Sequence, residues 1–164
     1  MRSTAVWILA LGLLATSPAW PHGTEEHPKQ PTSTGEADHA AALGAPGSPK
    51  APARTITVTM NDDMRFTPRR LMVRPGETVK LVAKSAGKLK HELVLGTAQE
   101  LAEHAELMQK FPEMEHDDPN AVSVEPGETG SLLWEFTSKA GAYDFGCLVP
   151  GHYEAGMLGK ILVR

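Results

Sequence analysis

The 164-residue chain contains a single cysteine. Cys147 therefore has no partner for an internal disulfide, although the N-terminus argues for export to a compartment where cysteines are commonly paired. Aromatic residues make up only 5% of the chain. No basic stripe interleaves with them, which excludes the usual nucleic-acid footprint. Basic residues are not in excess: 16 Lys+Arg stand against 20 Asp+Glu, a formal charge of −4. No apolar run is long enough to span a bilayer in the mature protein. Neither a Ser-His-Asp constellation nor a catalytic carboxylate pair stands out.

What is present falls into three parts. Arg2, the apolar run Ala5–Ala15 and then Ser17-Pro18-Ala19 make a secretory leader over residues 1–19, cut after Ala19. Residues 20–53 carry Pro21, Pro28, Pro31, Pro46, Pro49 and Pro52 without apolar periodicity, which predicts a disordered linker. Within it, His22, His27 and His39 lie beside Glu25, Glu26 and Asp38. These can bind Cu(II) or Zn(II) loosely, although the composition favours a solvated tail.

Residues 54–164 read as one domain. Thr55–Met60, Leu71–Arg74, Thr78–Ala83, His91–Leu95, Ala121–Val124, Ser131–Phe136, Ala142–Cys147 and Leu158–Val163 are short strands divided by Gly/Pro turns, the pattern of an all-β sandwich or barrel. Pro-Gly-Glu-Thr occurs at both 75–78 and 126–129. Both copies suit type II turns and predict two similar hairpins. One helical insertion is predicted at 98–110: Thr97 to Glu100 forms a capping box, and Leu101, Ala105 and Met108 follow on one face. His104, Met108, Met114 and His116 form a candidate accessory copper site, but helical spacing favours Met108 as core. Basic residues Arg65, Arg69, Arg70, Arg74, Lys80, Lys84, Lys88 and Lys90 precede His91, and 100–128 is mainly acidic. That asymmetry suits steering of a charged redox partner, or simply a solvated surface.

The densest chemistry lies in Tyr143–Gly159, YDFGCLVPGHYEAGMLG. Cys147, His152 and Met157 place a thiolate, an imidazole and a thioether within eleven residues. Taken singly, each has an ordinary explanation as a buried apolar residue or a hydrogen-bonded histidine. Taken together they are a soft ligand set suited to copper, of the type that joins two His and a Cys to a weak axial Met. His91, heading the strand-like HELVLG, is the candidate for the second histidine. Pro150-Gly151, Gly156 and Gly159 allow the backbone to fold tightly around them.

The motif Y-x-F-x-C-x4-H-x4-M-x-G, together with Phe66-Thr67-Pro68 and LMVRPGETVKL, resembles the cupredoxins, or type 1 blue-copper proteins. The resemblance covers 54–164. Its x4/x4 loop is most similar to auracyanin-type members; plastocyanins have a shorter Cys-to-His gap and azurins a shorter His-to-Met gap. The resemblance implies a Greek-key β-sandwich and one copper per chain, held by His91, Cys147, His152 and Met157. With four protein ligands no coordination position is open for a substrate. That argues against an enzyme, with copper oxidation left open. The chain departs from the common family pattern in having Glu92 after the first His ligand and Leu148 after the Cys, where Asn and Ser or Thr are usual. Glu92 is thus a candidate to tune the site from beyond the ligands. These departures, with the His-bearing linker and the insertion, resemble the periplasmic copper-tolerance cupredoxins. A soluble one-electron carrier is the rival expectation.

Overall fold

The computed structural model describes residues 42–51, 53–114, 117–136 and 139–164, all within the unit Ser33–Arg164. The expected leader, together with His22, His27, His39 and His116, lies outside the described residues. Among the described residues ten strands form two five-stranded sheets, as the all-β sandwich expectation requires. The first, in the order β1-β8-β5-β2-β3, contains Ala45–Pro46, Thr129–Phe136, Glu77–Ser85, Arg54–Asn61 and Arg65–Thr67. The second, in the order β4-β10-β9-β6-β7, contains Arg70–Val73, Leu158–Val163, Gly141–Gly146, His91–Gly96 and Ala121–Val124.

Period-two alternation decides which face of each strand is buried. In β5, Val79, Leu81, Ala83 and Ser85 point inward, and Lys80 and Lys84 point out. Val58, Met60, Trp134 and Phe136 join them from the first sheet. Leu71, Val73, Leu93, Leu95, Phe145, Ile161 and Val163 meet them from the second. Phe66 and Phe145 close this core edge to face, with ring centroids 4.9 Å apart.

Two sequence expectations are corrected here. The two Pro-Gly-Glu-Thr turns are not hairpins. Their local chemistry is as expected: Gly76 and Gly127 have φ of 72° and 77°, and the Glu77 and Glu128 N–H groups donate to Arg74 O and Glu125 O at 3.0 Å. After each reversal, however, the chain enters the opposite sheet. β4 pairs with β10 and β5 with β2 and β8; β7 pairs with β6 and β8 with β5. Each turn arches over the end of the core, and both flanking strands point apolar side chains into it.

The second correction concerns the linker boundary. The stretch expected to be disordered up to residue 53 contains β1, where Ala45 and Pro46 pair antiparallel with Glu135 and Trp134. Leu43 is 1% exposed in the main core. One large apolar side chain and a two-residue edge pairing suffice to anchor a Pro-rich segment that lacks any periodic signal.

The predicted helix is α1, Ala98–Lys110. Thr97 Oγ1 accepts the Glu100 N–H at 3.3 Å, and Glu100 Oε2 accepts the Thr97 N–H at 2.7 Å, completing the capping box. Leu101, Ala105 and Met108 pack with Val94 and Leu148 in a second, smaller core on the outer face of the second sheet. All six residues of β6 are consequently buried, whereas an ordinary half-solvated strand would alternate. Among the described residues no helix is long and apolar enough to cross a membrane.

Candidate metal centre

Cys147 follows directly on β9, and the chain returns as β10 eleven residues later. Between them the loop is closed by its own backbone. His152 N–H donates to Val149 O at 2.9 Å, Met157 N–H to His152 O at 3.0 Å and Cys147 N–H to Met157 O at 3.1 Å. Gly156, at φ 85°, supplies the left-handed conformation expected of it. Gly159 serves a different need. A Cβ there would lie 2.1 Å from Phe145 Cζ, and Gly159 is the cross-strand partner of Phe145. The ring thus lies over the base of the loop and holds β9 against β10.

The loop brings His152 Nδ1 to 3.3 Å from Cys147 Sγ. His91, at the head of β6, completes the group: one donor atom from each of His91, Cys147 and His152 lies within 4.8 Å of the others. The two imidazole rings are 5.1 Å apart, centroid to centroid. Cys147 and His91 are fully buried, and His152 is half-buried. Met157 is also fully buried, in the same core cluster as Cys147.

The donor set fits a soft metal ion, and His91 shows this most directly. Among the described residues, both of its ring nitrogens are buried without a hydrogen-bond partner. Buried polar atoms are almost always satisfied, so two orphans on one ring need an explanation, and a metal ligand accounts for one. Electrostatics point the same way. Burial pushes the Cys147 thiol up to about 12, with the charge of Glu92 adding to the rise and the Glu92 and Val149 N–H groups offsetting part of it. Burial, and next the proximity of His91, hold the His152 imidazole below its ordinary value. Burial therefore favours the neutral forms of both side chains, and a bound cation would displace the thiol proton.

The surroundings explain both departures from the common family pattern. The Glu92 N–H donates to Cys147 Sγ at 3.3 Å. The Glu92 side chain, one residue after His91, projects to the opposite face of β6. There its Oε1 accepts the Ser123 hydroxyl at 3.1 Å, and the residue is 8% exposed. Leu148 is buried in the small core beneath α1. A hydroxyl at 148 would serve no purpose there, and an isobutyl group ties the cysteine to the helix.

Of the residues expected to form the accessory site, His116 lies outside the described residues. Met108 is buried with Leu101, Ala105 and Leu148, while His104 and Met114 are half-buried. Asp62 is a residue that sequence reasoning missed. Its Oδ1 lies 3.5 Å from His91 Nε2, and the Lys88 N–H, foremost, holds its carboxyl below the usual range. It stands twenty-nine residues before His91 in an ordinary Asn-Asp-Asp turn, so no local pattern marks it.

Comparison with known proteins gives the same picture. Residues 53–164 match the family model described as copper binding proteins, plastocyanin/azurin family. The chain is 50% identical over 121 residues to "Copper-resistant cuproprotein CopI" of Rubrivivax gelatinosus, covering 74% of this chain and 73% of that protein. It is 38% identical over 155 residues to the protein of the same name from Pseudomonas aeruginosa, covering 77% and 84%. Among solved structures, auracyanin B matches with a TM-score of 0.61 and 27% identity, over 74% of this chain and 96% of that one.

Proposed function

Because the chain belongs to the plastocyanin/azurin family of copper-binding proteins, we propose that His91, Cys147, His152 and Met157 hold one type 1 copper. We further propose that the protein acts in the periplasm in copper tolerance, by binding or oxidising copper. The observation that carries the proposal is the convergence of His91, Cys147 and His152 around an imidazole with no hydrogen-bond partner. Met157, buried where the loop rejoins the sheet, would supply the thioether of the ligand set. Bound copper supplies a one-electron couple. The protein's own contribution is to keep the donors fixed, to give Sγ the Glu92 N–H and to exclude water from Cys147 and His91. His152, half-buried where Cys147 and His91 are fully buried, would be the ligand nearest a docking partner. The tolerance role is supported by the 50%-identical relative, a copper-resistant cuproprotein. The one-electron carrier is the second reading, supported by the partial exposure of His152 and the likeness to auracyanin B.

Spectroscopy tests the site and genetics the role. Copper-loaded protein is expected to be intensely coloured by thiolate-to-Cu(II) charge transfer, with one tightly held copper per chain. Cys147→Ser is expected to remove the colour and leave the fold. A colourless Cu(II) complex of the folded wild type would refute the site. Cells lacking the protein are expected to be copper-sensitive, and Cys147→Ser should not rescue them. A growth defect independent of copper would favour the electron carrier.

A further inference from the structure

Asp62 lies outside every ligand motif, yet the turns around it are built to hold its carboxylate in one place. Lys88 N–H donates to Oδ2 at 2.8 Å and to Oδ1 at 3.0 Å, and Leu89 N–H donates to Oδ1 at 3.2 Å. The carboxylate lies so close to the 86–89 turn that a Cβ on Gly87 would be 1.9 Å from Asp62 Oδ1. The same oxygen is 3.5 Å from Nε2 of His91, a ring that is fully buried. That separation is too long for a normal hydrogen bond, and the ring nitrogens are otherwise without partners.

We infer that Asp62 is the positioning residue for His91: its carboxylate receives the Nε2–H of the ring and so leaves Nδ1 as the nitrogen offered to the metal. A neutral imidazole has one N–H and one lone pair, and whatever accepts the N–H decides which nitrogen is free to ligate. Metal-bound histidines usually donate their other N–H in this way, and a carboxylate acceptor also raises the basicity of the ligating nitrogen. The backbone donors of Lys88 and Leu89 keep the acceptor from swinging out to solvent. The inference rests on His91 being a copper ligand and adds how that ligand is oriented.

Nitrogen-15 spectra of the histidine rings, recorded on metal-free and Cu(I)-loaded full-length protein, test the inference alongside Cu(II) affinity measured by chelator competition. In the wild type His91 is expected to show a single tautomer protonated at Nε2. In Asp62→Ala that preference should be lost and Cu(II) binding should weaken about 10-fold or more. Asp63→Ala removes the same charge from the neighbouring exposed residue and should change neither readout. Should Asp62→Ala not fold, Asp62→Asn carries the test, with weakened copper binding at an unchanged melting temperature as the expected result. Wild-type affinity and tautomer in whichever Asp62 variant is folded, or equal losses in Asp63→Ala, would overturn the role of Asp62. A wild-type protein that takes up no copper would instead overturn the ligand assignment beneath it.

Discussion

At the scale of single residues, Glu92 acts on the thiolate in two opposed ways. Its N–H donates to Cys147 Sγ and favours the anionic sulfur, whereas its carboxylate, on the far face of β6, opposes it. The amide belongs to the backbone and survives any substitution; the carboxylate does not. An ionised carboxylate near the metal favours the more positive, oxidised state, so Glu92→Gln is expected to raise the reduction potential. At an effective dielectric of about 20 the effect is on the order of 1 kcal/mol, or about 40 mV for one electron. Protein-film voltammetry of the two proteins measures it directly. An unchanged potential would show that the Ser123 hydroxyl and the surrounding solvent already screen the charge. Cys147, His152 and Glu92 were all legible in the sequence because they sit in local motifs. The burial of the Glu92 side chain was not, since it follows from β6 being covered on both faces.

At the scale of elements, α1 and the metal loop form one mechanical unit. Leu148 enters the helix core, Tyr153 Oη reaches the Ala98 carbonyl at 3.5 Å, and the Gln109 side-chain amide donates to Glu154. Leu148→Ala removes the central apolar contact. Deleting a buried leucine side chain costs about 2–5 kcal/mol, toward the lower end where a small peripheral core can collapse. Chemical denaturation should register that loss, with the blue absorption of the folded, copper-loaded protein retained. Loss of colour without loss of stability would mean that Leu148 shapes the ligand geometry and not the packing. The helix itself was readable to its ends from Thr97, Glu100 and the Leu101-Ala105-Met108 spacing, because capping and amphipathicity are local. The strands beside the Pro-Gly turns were readable too, but their sheets were not. A type II turn states that the chain reverses, and only long-range pairing decides whether the next strand lies beside the last or across the core from it.

At the scale of the whole molecule, Leu43 and β1 extend the fold beyond the boundary at residue 54 that periodicity suggested. Pro46 and Ala45 pair with residues almost ninety positions later, a separation that no windowed pattern detects. Leu43→Ala is expected to destabilise the protein by about 2–4 kcal/mol. Deletion of 20–53 should cost at least as much, contrary to what a dispensable tail would give. Because the Trp134 indole is buried against this segment, the melting curve can be followed by its fluorescence. Equal melting temperatures for wild type, Leu43→Ala and the deletion would refute the anchoring role.

The closure of the metal loop has a consequence for the order of events in folding. Cys147 and His152 are five residues apart on one short loop, whereas His91 reaches them only once β6 has paired with β9 across more than fifty residues. A short loop closes in well under a microsecond, long before such distant strands meet. The unfolded chain therefore already offers a thiolate and an imidazole to any copper it encounters. Binding to the unfolded state subtracts from the stability that binding confers on the native one. Copper should accordingly stabilise the fold by less than its affinity suggests, and the histidine contributed by β6 marks the difference between a chain that has merely caught the ion and one that has enclosed it.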